Sequence, residues 1–340
     1  MGLKVRRGGL VAFITGCCVL GIVITVSQLN ENKPLNGYVD GRQNTIVTTA
    51  APATKPPRDP DMQLYTDNTV GLSLQVPLKW NRVIKGGEVT FIESDTAAYV
   101  RVSVGAYPKG LACITETDVR ADVEDAGGGF VSFTREGNSG YTAMYQMYGD
   151  GVLYDYIEIN RYDLNYAARV TICTPDDAYK SLQKQISAVC SSVYWEPHDP
   201  IPEDFLLVYN EFGDFEFAVP SQWQRGIYQG EYVARDPVTG AEMHVSVALS
   251  DRTYENVNQA VYAEYLAEGK EGFAMRQFSA NTNLIYSVSS YMINGFLAYR
   301  VDYLVATGVY EYGISFLCPV DCYTDTAGLF EAAFTLFRTF

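Results

Sequence analysis

The chain has 340 residues, with 40 acidic side chains against 25 Lys and Arg, and a formal net charge of -15. Such a surface repels phosphate backbones and anionic head groups, which argues against a nucleic-acid partner and against direct binding to a membrane surface. The length accommodates two domains of ordinary size.

Lys4, Arg6 and Arg7 precede an uncharged run from Gly8 to Leu29. A helix of about 20 mainly apolar residues spans a bilayer, and a basic flank stays in the cytoplasm. Residues 8–29 are therefore expected to be a transmembrane anchor, with residues 1–7 cytoplasmic and everything after them extracellular. Two processed alternatives compete with this. Ile14-Thr15-Gly16-Cys17 has the form of a bacterial lipobox that would lipidate Cys17, and a cleaved signal peptide would lead to secretion. The membrane-like Val19 to Val26 speaks against the first, and the length of the run speaks against the second. With the three basic residues inside, the remaining chain carries -18.

Residues 30–60 contain little that would build a core, and Val47 to Pro60 is rich in Thr, Ala and Pro. They are expected to form a semi-extended spacer, reaching up to roughly 90 Å at about 3.1 Å per residue if fully extended.

Beyond the spacer the chain repeats itself. Leu72 to Trp80 returns as Phe215 to Trp223, which sets Pro77 and Trp80 against Pro220 and Trp223 at an offset of 143. Val102-Ser103-Val104 matches Val245-Ser246-Val247 at the same offset, and Cys173 matches Cys318 at 145. Ordered landmarks at nearly constant spacing imply two copies of one domain. The expected domains are residues 61–196 and 204–340, joined by a short linker over 197–203 that contains Pro197, Pro200 and Pro202.

Within copy one, alternating or aromatic runs at residues 62–65, 72–76, 89–93, 99–104, 130–133, 143–147, 153–159 and 167–173 read as strands. Thr174 is placed to cap a helix in which Tyr179, Leu182, Ile186, Val189 and Val193 form one apolar stripe. Copy two repeats the scheme. Its middle helix is expected over 253–269 with Tyr254, Val257, Val261 and Tyr265 on one face, and the matching stretch of copy one, 117–126, reads as shortened. The last helix is expected over about 324–340, burying Phe330, Ala333, Phe334 and Phe337. The expected fold class is α+β: two tandem α/β/α sandwich domains, each a mainly antiparallel sheet flanked by helices, behind the transmembrane helix.

Gly71, Pro77 and Trp80 of copy one, with Gly213, Pro220 and Trp223 of copy two, are each followed by a middle helix, long antiparallel strands and a closing helix. This pattern resembles the PsbP-like group of sandwich domains, which includes the photosystem II extrinsic subunit P, a Ran-binding nuclear import factor and bacterial envelope lipoproteins. The resemblance spans residues 62–195 and 204–340. It implies binding or assembly modules rather than enzymes, and it carries no functional residue over.

The sequence offers no P-loop, nucleophile elbow, zinc-protease motif or EF-hand. No catalytic, cofactor-binding or metal-binding residues are assigned. His244 alternates with inward-facing residues and is expected to face solvent, and His198 lies in the proline-rich linker, near Glu196 and Asp204. Cys318 and Cys322 form a candidate local disulfide or two reduced thiols, whereas Cys173 and Cys190 lie too far apart along a helix to pair.

The expectation is a membrane-anchored extracellular binding or scaffolding protein of the bacterial envelope, without catalysis, whose partner is an envelope protein or complex. Two alternatives stand beside it. One is a hydrolase of wall polymers using carboxylates such as Asp176, Asp177, Glu203 or Asp204, which requires a pair about 5 to 9.5 Å apart. The other is a carbohydrate-binding module drawing on the 26 tyrosines and three tryptophans. No matching polar residues are recognised between the copies beyond the fold-bearing set, so function is expected where the copies differ or meet.

Overall fold

The computed structural model describes residues 54–340. The candidate anchor at 8–29, Cys17 and most of the spacer lie outside the described residues. No helix among the described residues is long and apolar enough to cross a membrane. The chain divides into two compact units, with the boundary at the end of the strand Phe205–Asn210 that opens the second copy. The proline-rich linker belongs to the first unit, because Leu164 N donates to Asp199 O at 2.9 Å and His198 N donates to the buried carboxylate of Asp163 at 3.1 Å.

The first unit runs β1 (Met62–Asp67), β2 (Leu72–Pro77), β3 (Asn81–Lys85), β4 (Glu88–Ile92), β5 (Tyr99–Ala106), α1 (Glu116–Asp125), β6 (Gly129–Arg135), β7 (Gly140–Gly149), β8 (Val152–Tyr162), β9 (Tyr166–Pro175), α2 (Asp176–Ser192) and β10 (Tyr194–Trp195). A seven-stranded antiparallel sheet has the order β3-β4-β5-β9-β8-β7-β6, and a separate three-stranded sheet has the order β1-β2-β10. The second unit repeats this with β11 (Phe205–Asn210), β12 (Phe215–Pro220), β13 (Gln224–Tyr228), β14 (Glu231–Arg235), β15 (Glu242–Leu249), α3 (Gln259–Ala267), β16 (Ala274–Ala280), β17 (Leu284–Ile293), β18 (Phe296–Ala306), β19 (Tyr310–Pro319), α4 (Tyr323–Thr335) and β20 (Arg338–Thr339). Its sheets are ordered β13-β14-β15-β19-β18-β17-β16 and β11-β12-β20.

The expected α/β/α sandwich is thereby corrected. Strands hold 49% of the described residues and helices only 19%, and each unit is a pair of sheets rather than one sheet under helices on both faces. The physical reason lies at Pro77 and Pro220. After each proline the chain turns, with Trp80 N bonded to Pro77 O at 3.0 Å and Trp223 N to Pro220 O at 3.1 Å, and the strands before and after the turn enter different sheets. The small sheet shares its layer with the closing helix. Ser192, in the last turn of α2, accepts from Gln75 N at 2.8 Å and so continues the hydrogen bonding of β2 where β10 stops. Leu72, Leu74 and Val76 of β2 and Tyr179, Leu182, Ile186 and Val189 of α2 thus bury one core against Phe91, Val100, Val102, Ile157, Val170 and Ile172 of the large sheet.

Four local expectations change as well. Pro175, not Thr174, is the residue before α2, and Thr174 is a buried part of β9. The middle helix of the second unit starts only after Asn258, whose side chain accepts from Val261 N. Tyr262 and Leu266 are its buried residues, and Val261 is exposed. Nor is α1 shortened: it has ten residues, against nine in α3, and is closed by a Thr115/Asp118 capping box. The final helix ends at Thr335, and Arg338 and Thr339 pair with β12 instead of extending it.

Candidate functional site

The repeat landmarks serve the fold. Trp80 and Trp223 are buried. The Trp80 indole N–H reaches Gln185 of α2 at 3.2 Å, and Trp223 meets Phe330 of α4 edge-on at 6.5 Å. Pro77 and Pro220 close fully buried strands.

Cys318 and Cys322 are free thiols, like the other cysteines among the described residues. Burial pushes the Cys318 thiol above its ordinary pKa. The match of Cys173 with Cys318 is corrected by the pairing register. Tyr99 pairs with Cys173 while Glu242, its counterpart 143 positions on, pairs with Leu317, so Cys318 corresponds to Thr174. Side chains alternate between faces along a strand, so a one-residue slip changes the face. Cys173 therefore lies on the outer face of its sheet, beside Tyr99 and Tyr156.

The carboxylates offered for hydrolysis are exposed on separate elements, Asp176 and Asp177 in the first turn of α2 and Glu203 and Asp204 in the segment before β11. Many aromatic rings are spent on one another. Tyr145 stacks on Tyr156 at 5.2 Å, Tyr299 on Tyr323 at 4.4 Å and Tyr303 on Phe334 at 3.8 Å.

Polar matches between the copies do exist, contrary to the sequence reading, and they cross the outer face of each large sheet. In the first unit Arg101 pairs across the strands with Thr171, and Thr171 with Glu158. In the second unit His244 pairs with Ser315, and Ser315 with Asp302. Base, hydroxyl and acid thus recur in the same order on equivalent strands. Each row is internally satisfied. Arg169 holds Glu158 at 2.8 Å, Arg300 Nε reaches both oxygens of Asp302 at 2.8 and 3.0 Å, and Ser315 donates to Asp302. At the end of the row Glu88 lies 3.9 Å from Arg101, and Glu231, 143 positions later, lies 3.3 Å from His244 Nδ1. The rows form a charged, cross-linked surface on which each acid faces a cation or hydroxyl.

His244 is consequently half-buried between Glu231 and Glu242, not simply solvent-facing. Its hydrogen bond with Glu231 raises its pKa above 6.5, and the same contact lowers that of Glu231 below 4.5. A raised histidine pKa adds stability below 6.5 that is lost as pH rises through the folded value, while a lowered carboxylate pKa adds stability above 4.5 that is lost as pH falls. The trio therefore contributes most between those two limits. Thermal unfolding of wild type and His244→Gln across pH is expected to show the largest difference in that window, narrowing on the alkaline side. A constant difference at every pH would remove the ionic account.

The hairpin that carries Glu88 holds the strongest exposed match. Arg82, Ile84, Gly87 and Glu88 recur as Arg225, Ile227, Gly230 and Glu231, all at an offset of 143. In both copies every residue of the first strand, β3 or β13, is exposed, and Ile84 and Ile227 are 65% and 46% exposed. The turns account for the glycines. Gly86 and Gly87 have φ of 61° and 87°, Gln229 and Gly230 have 51° and 84°, and two positive φ values in a two-residue loop define a type I′ hairpin turn. Core packing does not account for an isoleucine held exposed at the same position in both copies. The sequence signal was present at the constant offset, but it lies outside the apolar pattern by which the repeat is recognised.

No protein-family model matches the chain, and no curated protein matches it. Among solved structures, cyanobacterial PsbP from Synechocystis sp. PCC 6803 is 13% identical with a TM-score of 0.33, over 40% of this chain and 93% of that chain. A protein of Bacteroides thetaiotaomicron VPI-5482 is 16% identical with a TM-score of 0.26, over 42% of this chain and 52% of that one. The immunity protein TplEi of the Pseudomonas aeruginosa T6SS is 11% identical with a TM-score of 0.22, over 70% of this chain and 87% of that chain. These are weak likenesses of fold, and no functional argument is drawn from them.

Proposed function

We propose that the protein is a two-module binding or scaffolding protein of the bacterial envelope, without catalysis. In this reading residues 8–29 anchor it in the membrane, the spacer holds the modules outside the cell, and each module is PsbP-like. The partner is an envelope protein or complex rather than a nucleic acid, in keeping with the -15 charge.

The observation that carries the reading is the exposed Arg-x-Ile-x-x-Gly-Glu match in the β3–β4 and β13–β14 hairpins. Residues kept at equivalent exposed positions in two otherwise diverged copies serve a surface task. Photo-crosslinking in intact cells, with the crosslinker at Lys85 or Tyr228 of the full chain, is expected to capture one envelope protein from both positions. Recovery of none from either position, or turnover of wall polymer by the purified chain, would overturn the reading.

A further inference from the structure

The two edges of each large sheet differ in kind. At one edge β6 and β16 each carry a bulge, between Phe130 and Ser132 and between Met275 and Gln277, and α1 and α3 pack beside them. Bulges and covering helices are the means by which proteins blunt an edge that would otherwise pair with another chain. At the opposite edge β3 and β13 are regular, exposed along their whole length and paired on one side only, with β4 and β14.

The register fixes what these open edges present. In a hairpin with a two-residue loop the flanking pair exchanges both hydrogen bonds, and bonded pairs then alternate along the ladder. Lys85 with Glu88 and Val83 with Thr90 are therefore the inward-bonding pairs, as are Tyr228 with Glu231 and Gly226 with Val233. The backbone N–H and C=O groups of Arg82, Ile84, Arg225 and Ile227 point away from the sheet. These are also the side chains repeated in both copies.

The charge of the edge indicates what it would accept. In a chain of net charge -15, β3 has Arg82 and Lys85 and no acid, and β13 has Arg225 and no acid. The Arg82 guanidinium lies over the rings of Tyr65 and Phe91 at 5.8 and 6.0 Å, which fixes it near the strand. Among the described residues no carboxylate lies within ion-pair distance of Arg82 or Arg225.

We infer that β3 and β13 each accept an extended acidic segment of the partner as an added strand. The inference rests on the binding-module reading and names its mode and the partner's chemistry. Side chains two apart share a face of a strand, so a segment with an acid opposite the arginine and an apolar residue opposite the isoleucine fits both edges. Backbone bonds to the outward groups supply affinity, and the Arg/acid and Ile/apolar pairs supply register.

The probe is the peptide Thr-Glu-Thr-Val-Thr-Glu-Thr-Val-Thr, fluorescently labelled, with a version carrying Lys for Glu as its control. Titration against the full chain by anisotropy is expected to give saturable binding of the acidic peptide and at least tenfold weaker binding of the basic one. Ile84→Pro with Ile227→Pro removes one outward N–H per edge while sparing the inward ladder, and binding is expected to fall at least tenfold. Arg82→Glu with Arg225→Glu, which keeps every backbone donor, is expected to reverse the preference between the peptides. Unchanged binding in either double variant, or no binding by wild type, overturns the inference. So does concentration-dependent dimerisation in sedimentation that the proline variant abolishes, because the occupant would then be a second copy. If the cellular crosslink of the full chain persists in the proline variant, strand addition fails while the binding-module reading stands. If wild type gives no crosslink, the reading itself fails.

Discussion

Arg338→Ala is expected to destabilise the second unit by about 3–5 kcal/mol, the usual cost of removing one member of a buried ion pair. Glu216 is fully buried on β12, and Arg338 Nε and Nη2 reach its Oε2 at 2.8 and 2.5 Å. The pair sits in register across β12 and β20, so the ion pair adds to the backbone bonds of a two-residue strand. Hydrogen–deuterium exchange resolved by peptide should show β12 losing protection in the variant while β2 in the first unit does not change. Arg338→Met combined with Glu216→Leu should recover most of the loss, since an apolar pair of similar volume often equals or exceeds a buried ion pair. A single variant within about 0.5 kcal/mol of wild type would show that the Glu216 carboxylate does not depend on Arg338 in the folded chain.

Phe330→Ala is expected to cost about 3–5 kcal/mol, the range for deleting a buried aromatic ring. Phe330 is 2% exposed, stacks on Phe316 at 4.5 Å and meets the edge of Trp223 at 6.5 Å. Its counterpart 144 positions earlier is Ile186, which is 1% exposed in the core of the first unit. Ile186→Ala falls in the range of about 2–5 kcal/mol, so the paired variants compare an aromatic and an aliphatic filling of one site. Urea unfolding followed by near-ultraviolet dichroism should show the tryptophan band shifting with Phe330→Ala and a smaller loss of ellipticity with Ile186→Ala. Equal dichroism changes in both would mean that the ring stack does not order Trp223.

Most strands were legible because Val, Ile, Tyr and Phe alternate along them, and the duplication was legible because Pro77 and Trp80 recur. The pairing of sheets was not. Strands of two residues, Tyr194–Trp195 and Arg338–Thr339, are too short to leave a period. Without them β1 and β2 read as part of the large sheet and the closing helix as a separate layer. The middle helix of the second unit was misplaced because aromatic residues in the preceding loop, such as Tyr254, mimic a helical stripe until Asn258 is recognised as the cap, whereas that of the first unit falls within one residue of its expected place. The outer-face rows were hidden because they exist only across strands: Arg101, Thr171 and Glu158 are brought together by register, not by spacing along the chain. The hairpin match of Arg82 and Ile84 was readable in principle, since it needs only the offset and the expectation of exposure.

The offset between the copies is not constant, and this limits how the two halves of the gene can exchange. Equivalent residues lie 143 apart through β5 and β15, 145 apart in β6 and β16, and 144 apart from β7 and β17 onward. A recombination event aligned on the first offset and resolved in the last four strands would shift them by one residue and turn each inward side chain outward. Exchange between the halves thus preserves the fold only where it follows the local offset of the strands exchanged.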